Sequence, residues 1–381
     1  MKTGIICTLA ALLLCFSANA QETHISSPDG RIVLTVDNSS DLNYRISFDG
    51  ETIVARSPLG FEFVGEEPMT GGFMLTEKPA ARIMSEEWTP VVKNKHAKVH
   101  EVWNEATLKL QENGDLRRKM DIEVKVFDGG LAFRYHLYDD HRLVTREISR
   151  EMTGFCLPDG ANAWVADYEG HVTSQEKEFF KTAVSSIKPE TVAGLPLLVE
   201  AGPQKWLAIT EAHIDNYPGF FLGAKDGSLQ TMLSPVPGYE NVKARFDDEI
   251  TTPWRVVLIG DNPGQFIESE IIRTLNPPCA IEDTEWIKPG LCAWDHWWSG
   301  EVRMEMDVIK GYIDLASAQG WPYMLIDWQW YGPYNEAKAD ITKPAPQLDM
   351  PEILRYAEEK GVRIWLWLYS SDVNRNDAYK E

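Results

Sequence analysis

The chain has 381 residues, 37 Lys and Arg against 58 Asp and Glu, a net charge of −21 at pH 7, and 44% hydrophobic against 25% charged residues. That length exceeds one ordinary core, so two domains are expected, and the composition is that of a folded globular chain rather than a disordered or membrane-embedded one. A surface this acidic repels phosphate backbones, which argues against nucleic acid as a partner and suits a neutral ligand better than an anionic one.

Residues 1–20 read as a secretory signal. Lys2 supplies the positive start, Gly4 to Phe16 is an apolar run too short for a membrane span, and Ala18-Asn19-Ala20 is an A-x-A cleavage site. A mature chain beginning at Gln21, periplasmic or secreted, is the expectation, with the net charge moving from −21 to −22 as Lys2 leaves. A lipoprotein reading through Cys15 is weaker, because Leu14 stands where a small residue is wanted. No later run approaches about 18 apolar residues, so no membrane span is expected. Cys7 and Cys15 leave with the signal, and Cys156, Cys279 and Cys292 remain, with no CxxC or Cys/His zinc spacing. One pair in an oxidising compartment and three thiols are both open readings.

Residues 21–275 read as β structure. Arg31 to Asp37 and Leu42 to Phe48 alternate at period two, and Asp49-Gly50 is a turn dipeptide. Leu108 to Leu110 and Ile122 to Phe127 follow, then Asp128-Gly129-Gly130 as a turn, and Leu131 to Leu137 closes the hairpin. Leu195 to Val199, Trp206 to Thr210 and Trp254 to Ile259 continue the pattern. Many short strands between turn signals indicate a sandwich of antiparallel sheets.

The pattern then changes. Gln265 to Leu275 has helical spacing, and Asn276-Pro277-Pro278 opens a linker over 276–289. Leu291 to Trp294 is a strand, Val308 to Ala316 carries a helical apolar face ended by Gly320, and Tyr323 to Asp327 is the next strand. Met350 to Lys360 is a helix ended by Gly361, and Arg363 to Leu368 is a third strand. This β-α-β-α-β order predicts a parallel sheet, with strand starts roughly 30 to 40 residues apart, as in a (β/α)8 TIM barrel. A barrel needs eight strands and about 250 residues. Residues 290–381 therefore read as its first three strands, and the chain as cut short.

Nine of the 14 tryptophans fall between Trp286 and Trp367. Trp294, Trp297, Trp298, Trp328, Trp330 and Trp367 crowd the predicted C-terminal strand ends, where aromatic faces suit the C–H faces of sugars. The plainer alternative is that they fill the barrel. Asp295 and Asp327 stand at the ends of the first two strands, the edge where barrels carry their sites, and His296 lies beside Asp295. Each fits a hydroxyl-binding role, with a capping or turn role as the alternative. Glu169, Glu176 and Glu178 cluster near Trp164 and Tyr168, a pattern that by itself is usually a solvated face. No Ser-His-Asp order, P-loop or GxGxxG fingerprint is present.

Several strings in order resemble glycoside hydrolase family 97. They are Leu195-Pro196-Leu197, Thr210-Glu211-Ala212 through Asp215-Asn216-Tyr217-Pro218-Gly219-Phe220, Trp286-Ile287-Lys288-Pro289-Gly290, Ala293-Trp294-Asp295, Leu325-Ile326-Asp327 with Trp330, and Leu366-Trp367. The resemblance implies an N-terminal β-super-sandwich, a (β/α)8 barrel, and calcium-dependent exo-acting cleavage of terminal α-linked sugars, galactosidase-like slightly ahead of glucosidase-like. It implies substrate binding by Asp295, His296, Trp297, Trp298, Asp327, Trp330 and Trp367, catalytic carboxylates beyond Glu381, and a calcium ligand at Glu176, with Glu178 as fallback. Trp328-Gln329 and Tyr369-Ser370-Ser371 depart from the family's pattern and bear on which sugar fits. The competing classes are a non-catalytic carbohydrate-binding protein of a glycan-uptake system and a structural sandwich with a degenerate barrel.

Overall fold

A computed structural model of the chain describes residues 22–138, 145–225, 227–296 and 303–379. It divides into two compact units, Met1–Ala280 and Ile281–Glu381. The expected signal segment, Trp297 and Trp298 lie outside the described residues.

The described sheets of the first unit are antiparallel throughout. Two-residue turns set the hairpins: Asp49 and Gly50, with φ of 51° and 79°, join Asn43–Phe48 to Glu51–Pro58. Left-handed backbone at both positions matches the twist of the flanking strands. At the next hairpin, Lys119–Phe127 to Gly130–Leu137, a Cβ on Gly130 would stand 2.6 Å from the Val257 carbonyl oxygen, so only glycine lets the strands approach.

The centre of this unit is the strand Trp254–Gly260, paired with Gly130–Leu137 on one side and Lys205–Ala212 on the other. All of its residues are buried. Val257 and Ile259 join the main core, which four antiparallel sheets share, while Trp254, Val256 and Leu258 join a second core with Trp103, Phe127, Ala208, Ala212, Ile271 and Leu275. Burial on both faces explains a near-continuous apolar run where alternation marks the outer strands. The predicted helix over 265–275 is two short pieces, Gly264–Glu268 and Ile271–Thr274, with Ser269 extended between them. There the buried Glu270 turns in to Asn94, His96 and Arg273 at 3.2, 3.0 and 3.1 Å.

Arg255 is the one charge inside that apolar strand, and its guanidinium is fully buried. It donates to both oxygens of the buried Glu151 at 2.8 and 2.7 Å and to Glu211 at 2.8 Å. The Thr153 and Tyr217 hydroxyls donate to Glu151 at 2.8 and 3.2 Å, and the Phe220 N–H donates to Glu211 at 3.3 Å. Burial pushes the Glu211 carboxyl up, against the pull of Arg255. A buried ion pair is tolerable only when its remaining hydrogen-bonding capacity is also filled, as here.

The second unit contains a three-stranded parallel sheet in sequence order, Cys292–Trp294, Tyr323–Ile326 and Arg363–Leu366. The three strands do not close into a barrel among the described residues. The helix Met306–Gln319 ends at Gly320 in the left-handed region (φ 68°), and the Trp321 N–H reaches back to the Ala316 carbonyl at 2.8 Å. The helix Met350–Glu359 starts at Asp349, whose carboxylate accepts the Glu352 N–H at 3.1 Å. Ile309, Ile313 and Ala316 from the first helix and Ile353 and Ala357 from the second form one core with Met324 and Ile326. The third strand stays largely exposed, Trp365 at 56%, with Ile364 packed against that core.

Cys156 and Cys292 carry free thiols, and no described helix is long and apolar enough to cross a membrane.

Candidate functional site

The parallel sheet brings Asp295 and Asp327 together. Each follows the last residue of its strand, and the two strands are in register through Trp294 and Leu325. One Asp295 oxygen (Oδ1) accepts the Asp327 peptide N–H at 3.2 Å. Asp327 in turn accepts the Trp294 indole N–H at 2.5 Å on one oxygen and the Trp328 peptide N–H at 2.6 Å on the other. Both aspartates are buried, at 1% and 5% exposure. The second oxygen of Asp295 (Oδ2) is buried with no hydrogen-bond partner among the described residues. Burial pushes the Asp295 carboxyl up to about 6, opposed by the Asp327 N–H and reinforced by the nearby Asp327 charge.

Aromatic rings run from this pair in a continuous arc. Trp294 and His296 have centroids 6.0 Å apart, His296 and Trp328 5.4 Å, Trp328 and Tyr334 5.1 Å, Tyr334 and Trp367 5.6 Å, and Trp367 and Tyr369 5.8 Å. His296 accepts the Trp328 indole N–H on Nδ1 at 3.1 Å, so that nitrogen carries no proton. The chain leaves the second strand through a turn with Gln329 at φ 71° and Gly332 at φ 86°. A third buried carboxylate, Asp372, ties this turn to the segment after the third strand. It accepts from the Tyr331 hydroxyl and the Asn335 N–H, both at 2.9 Å, and from Arg375 at 2.8 Å.

Of the residues expected to bind substrate, Asp295, His296, Asp327 and Trp367 lie at this one edge. Trp330 is there too but is buried at 6%, its indole N–H donating to the Trp367 carbonyl at 2.6 Å, so it packs the turn beneath the arc. Trp294, 37% exposed, Trp328, Tyr334 and Tyr369 complete the arc and are not among the residues the sequence assigns to the site. For Trp294 the signal was its place beside Asp295. The two tyrosines sit in loops, where residue type alone carries little information.

Glu176 is exposed, its own N–H bonded to the Ser174 hydroxyl at 3.4 Å, and Glu178 is exposed nearby. Lys177 pairs with Glu169 at 3.0 Å. No group of three or more His, Cys, Asp or Glu among the described residues is placed to hold a metal ion. Calcium takes about six to eight oxygens, so the described residues do not by themselves fit the ion.

Two family models match the chain: glycosyl-hydrolase 97 N-terminal over residues 25–278 and glycoside hydrolase 97 over 292–381. A retaining alpha-galactosidase from Bacteroides thetaiotaomicron is 26% identical over 398 residues, covering 95% of this chain and 57% of that protein. A probable retaining alpha-galactosidase from Streptomyces bingchenggensis is 27% identical over 364 residues, covering 92% and 52%. The chain thus spans about half the length of these relatives. Among solved structures, a glycoside hydrolase family 97 enzyme from Pseudoalteromonas sp. strain K8 in complex with panose superposes with a TM-score of 0.79 at 24% identity, covering 90% of this chain and 53% of that one.

Proposed function

The chain belongs to glycoside hydrolase family 97, and from that premise we propose that the whole protein is a retaining exo-α-glycosidase that removes terminal α-linked galactose, its sandwich followed by a complete (β/α)8 barrel. One observation carries the reading: a buried, hydrogen-bonded aspartate pair at the C-terminal edge of a parallel sheet, rimmed by a continuous arc of aromatic rings. Rings stack on the C–H faces of a pyranose, and the carboxylate of Asp327 accepts hydroxyl protons on its remaining lone pairs. The names of the two relatives support galactose over glucose.

In this reading His296, Asp327, Trp297, Trp298 and Trp367 bind and orient the terminal sugar, with Trp294, Trp328, Tyr334 and Tyr369 added to them, Asp295 acting from behind Asp327 and Trp330 supporting the turn. Retaining cleavage needs a nucleophile and an acid/base about 5 Å apart. We assign neither to Asp295 or Asp327, and place both on barrel segments other than the three described strands. Glu176 is kept as one proposed calcium donor, with the other oxygens supplied outside the described residues, and no step of the reaction is derived through the ion. Export behind a signal ending at Ala20 is part of the same proposal.

The test is to assay the whole protein on p-nitrophenyl α-galactoside and α-glucoside, reading the first-formed anomer by NMR. Preference for the galactoside with the α-anomer released first is expected, and Asp327→Ala should raise KM or abolish turnover. Turnover of neither substrate, or release of the β-anomer, sinks the reading. Intact Met1 on the folded, exported protein sinks the signal assignment.

A further inference from the structure

We propose that Asp295 is a positioning residue for the sugar-binding edge, holding Asp327 and Trp294 in place with a strength that depends on whether Asp295 carries a proton. The proposal rests on the sugar-binding reading of that edge. The geometry forms a chain of three links. Asp295 accepts the Asp327 N–H, the Asp327 carboxylate accepts the Trp294 indole N–H, and Trp294 begins the aromatic arc. Asp295 is almost wholly buried, and its second oxygen has no hydrogen-bond partner among the described residues. An ionised carboxylate in that position leaves a charged oxygen unsolvated beside a second carboxylate. A protonated one is neutral, which removes most of that cost.

The groups facing Asp295 are few. Asp327 comes from the second strand and His296 from its own chain segment. The helix packed on the sheet presents Ile309, Ile313 and Ala316. The only charge on the third strand is Arg363, at its opposite end. No Lys or Arg among the described residues pairs with either aspartate. The upward displacement of the Asp295 carboxyl to about 6 agrees with this arrangement. As pH rises through that value Asp295 ionises: its bond to the Asp327 N–H strengthens while its charge repels the Asp327 carboxylate, which swings away and loosens the hold on Trp294.

The experiment follows the Trp294-dependent part of near-UV circular dichroism and tryptophan emission, isolated as the difference from Trp294→Phe, between pH 4.5 and 8. Galactose binding is titrated alongside. In the unaltered chain the signal should change with a midpoint near pH 6, and galactose affinity should fall about threefold to tenfold across it, the worth of one weakened hydrogen bond. Asp295→Asn, which keeps an acceptor for the Asp327 N–H and cannot ionise, should abolish the transition and bind galactose equally well at both ends. Asp295→Ala should weaken binding about tenfold at every pH. A transition persisting in Asp295→Asn, or binding by a folded Asp295→Ala within twofold of the unaltered chain, overturns the proposal. If the unaltered chain binds no galactose at any pH while Asp295→Asn still removes the transition, the sugar reading fails and the positioning role stands.

Discussion

The molecule buries carboxylates in two contrasting ways. In the first unit Glu151 and Glu211 surround Arg255, and the group is filled out by Thr153, Tyr217 and the Phe220 N–H. In the second unit Asp295 and Asp327 lie side by side with no Lys or Arg paired to them among the described residues, and one oxygen of Asp295 has no hydrogen-bond partner there. A satisfied network holds sheets together and has nothing left to offer a ligand. An unsatisfied pair costs stability where it stands, which marks it as kept for something other than stability.

The largest effect should come from breaking the satisfied network. Arg255→Met leaves two buried carboxylates unpaired and should cost about 3–5 kcal/mol, read as a lower urea midpoint of the first unit. Little change would mean that water or protonation rescues the pair, and the contrast would collapse.

Next comes the unsatisfied pair. The Asp295 carboxyl lies near 6 in the folded chain against 3.8 for an ordinary one. Because the folded value is raised, folding favours the protonated form, so the contribution of Asp295 to stability is fully present below about pH 4 and is lost as pH rises through about 6. The loss is about 3 kcal/mol at most. Asp295→Asn should therefore stabilise the second unit at pH 7.5 by about 1–3 kcal/mol and flatten the dependence. Thermal melts at several pH values decide this, and a destabilised Asp295→Asn at pH 7.5 would remove the second half of the comparison.

Smaller effects sharpen it. Tyr217→Phe removes one neutral donor to a carboxylate that keeps its other partners, so about 1 kcal/mol should be lost in the same urea measurement. Glu176→Gln, on an exposed side chain, should leave stability without calcium within about 0.5 kcal/mol. In the whole protein it should weaken calcium binding, measured by calorimetry, while Glu178→Gln should not.

The hairpins around Asp49-Gly50 and Asp128-Gly129 were legible because period-two alternation and turn dipeptides are local signals. The order of the three parallel strands followed from the alternation of strand and helix and from Gly320 and Gly361 at the helix ends. Strands such as Arg82–Trp88 were not legible, because their exposed, charged sequence lacks an apolar face. Asp295 and Asp327 could be found as acids at strand ends. Which of them would be left unsatisfied could not, since that depends on neighbours more than thirty residues away. Arg255 did carry a signal, one charge in an otherwise apolar strand, but its partner Glu151 stands 104 residues earlier and no local pattern points to it.

The central strand has a consequence in time. Gly130–Leu137 pairs with Trp254–Gly260, so a strand in the middle of the sheet is completed by a segment made more than a hundred residues later. At a synthesis rate of about 5–20 residues per second, the earlier strand waits on the order of ten seconds for its partner. During that interval Leu131, Phe133 and Tyr135, all destined for the main core, depend on their local hairpin partner Lys119–Phe127 and on whatever shields nascent chains. The same separation makes this a fold of high contact order, slow to assemble even once the whole chain is present.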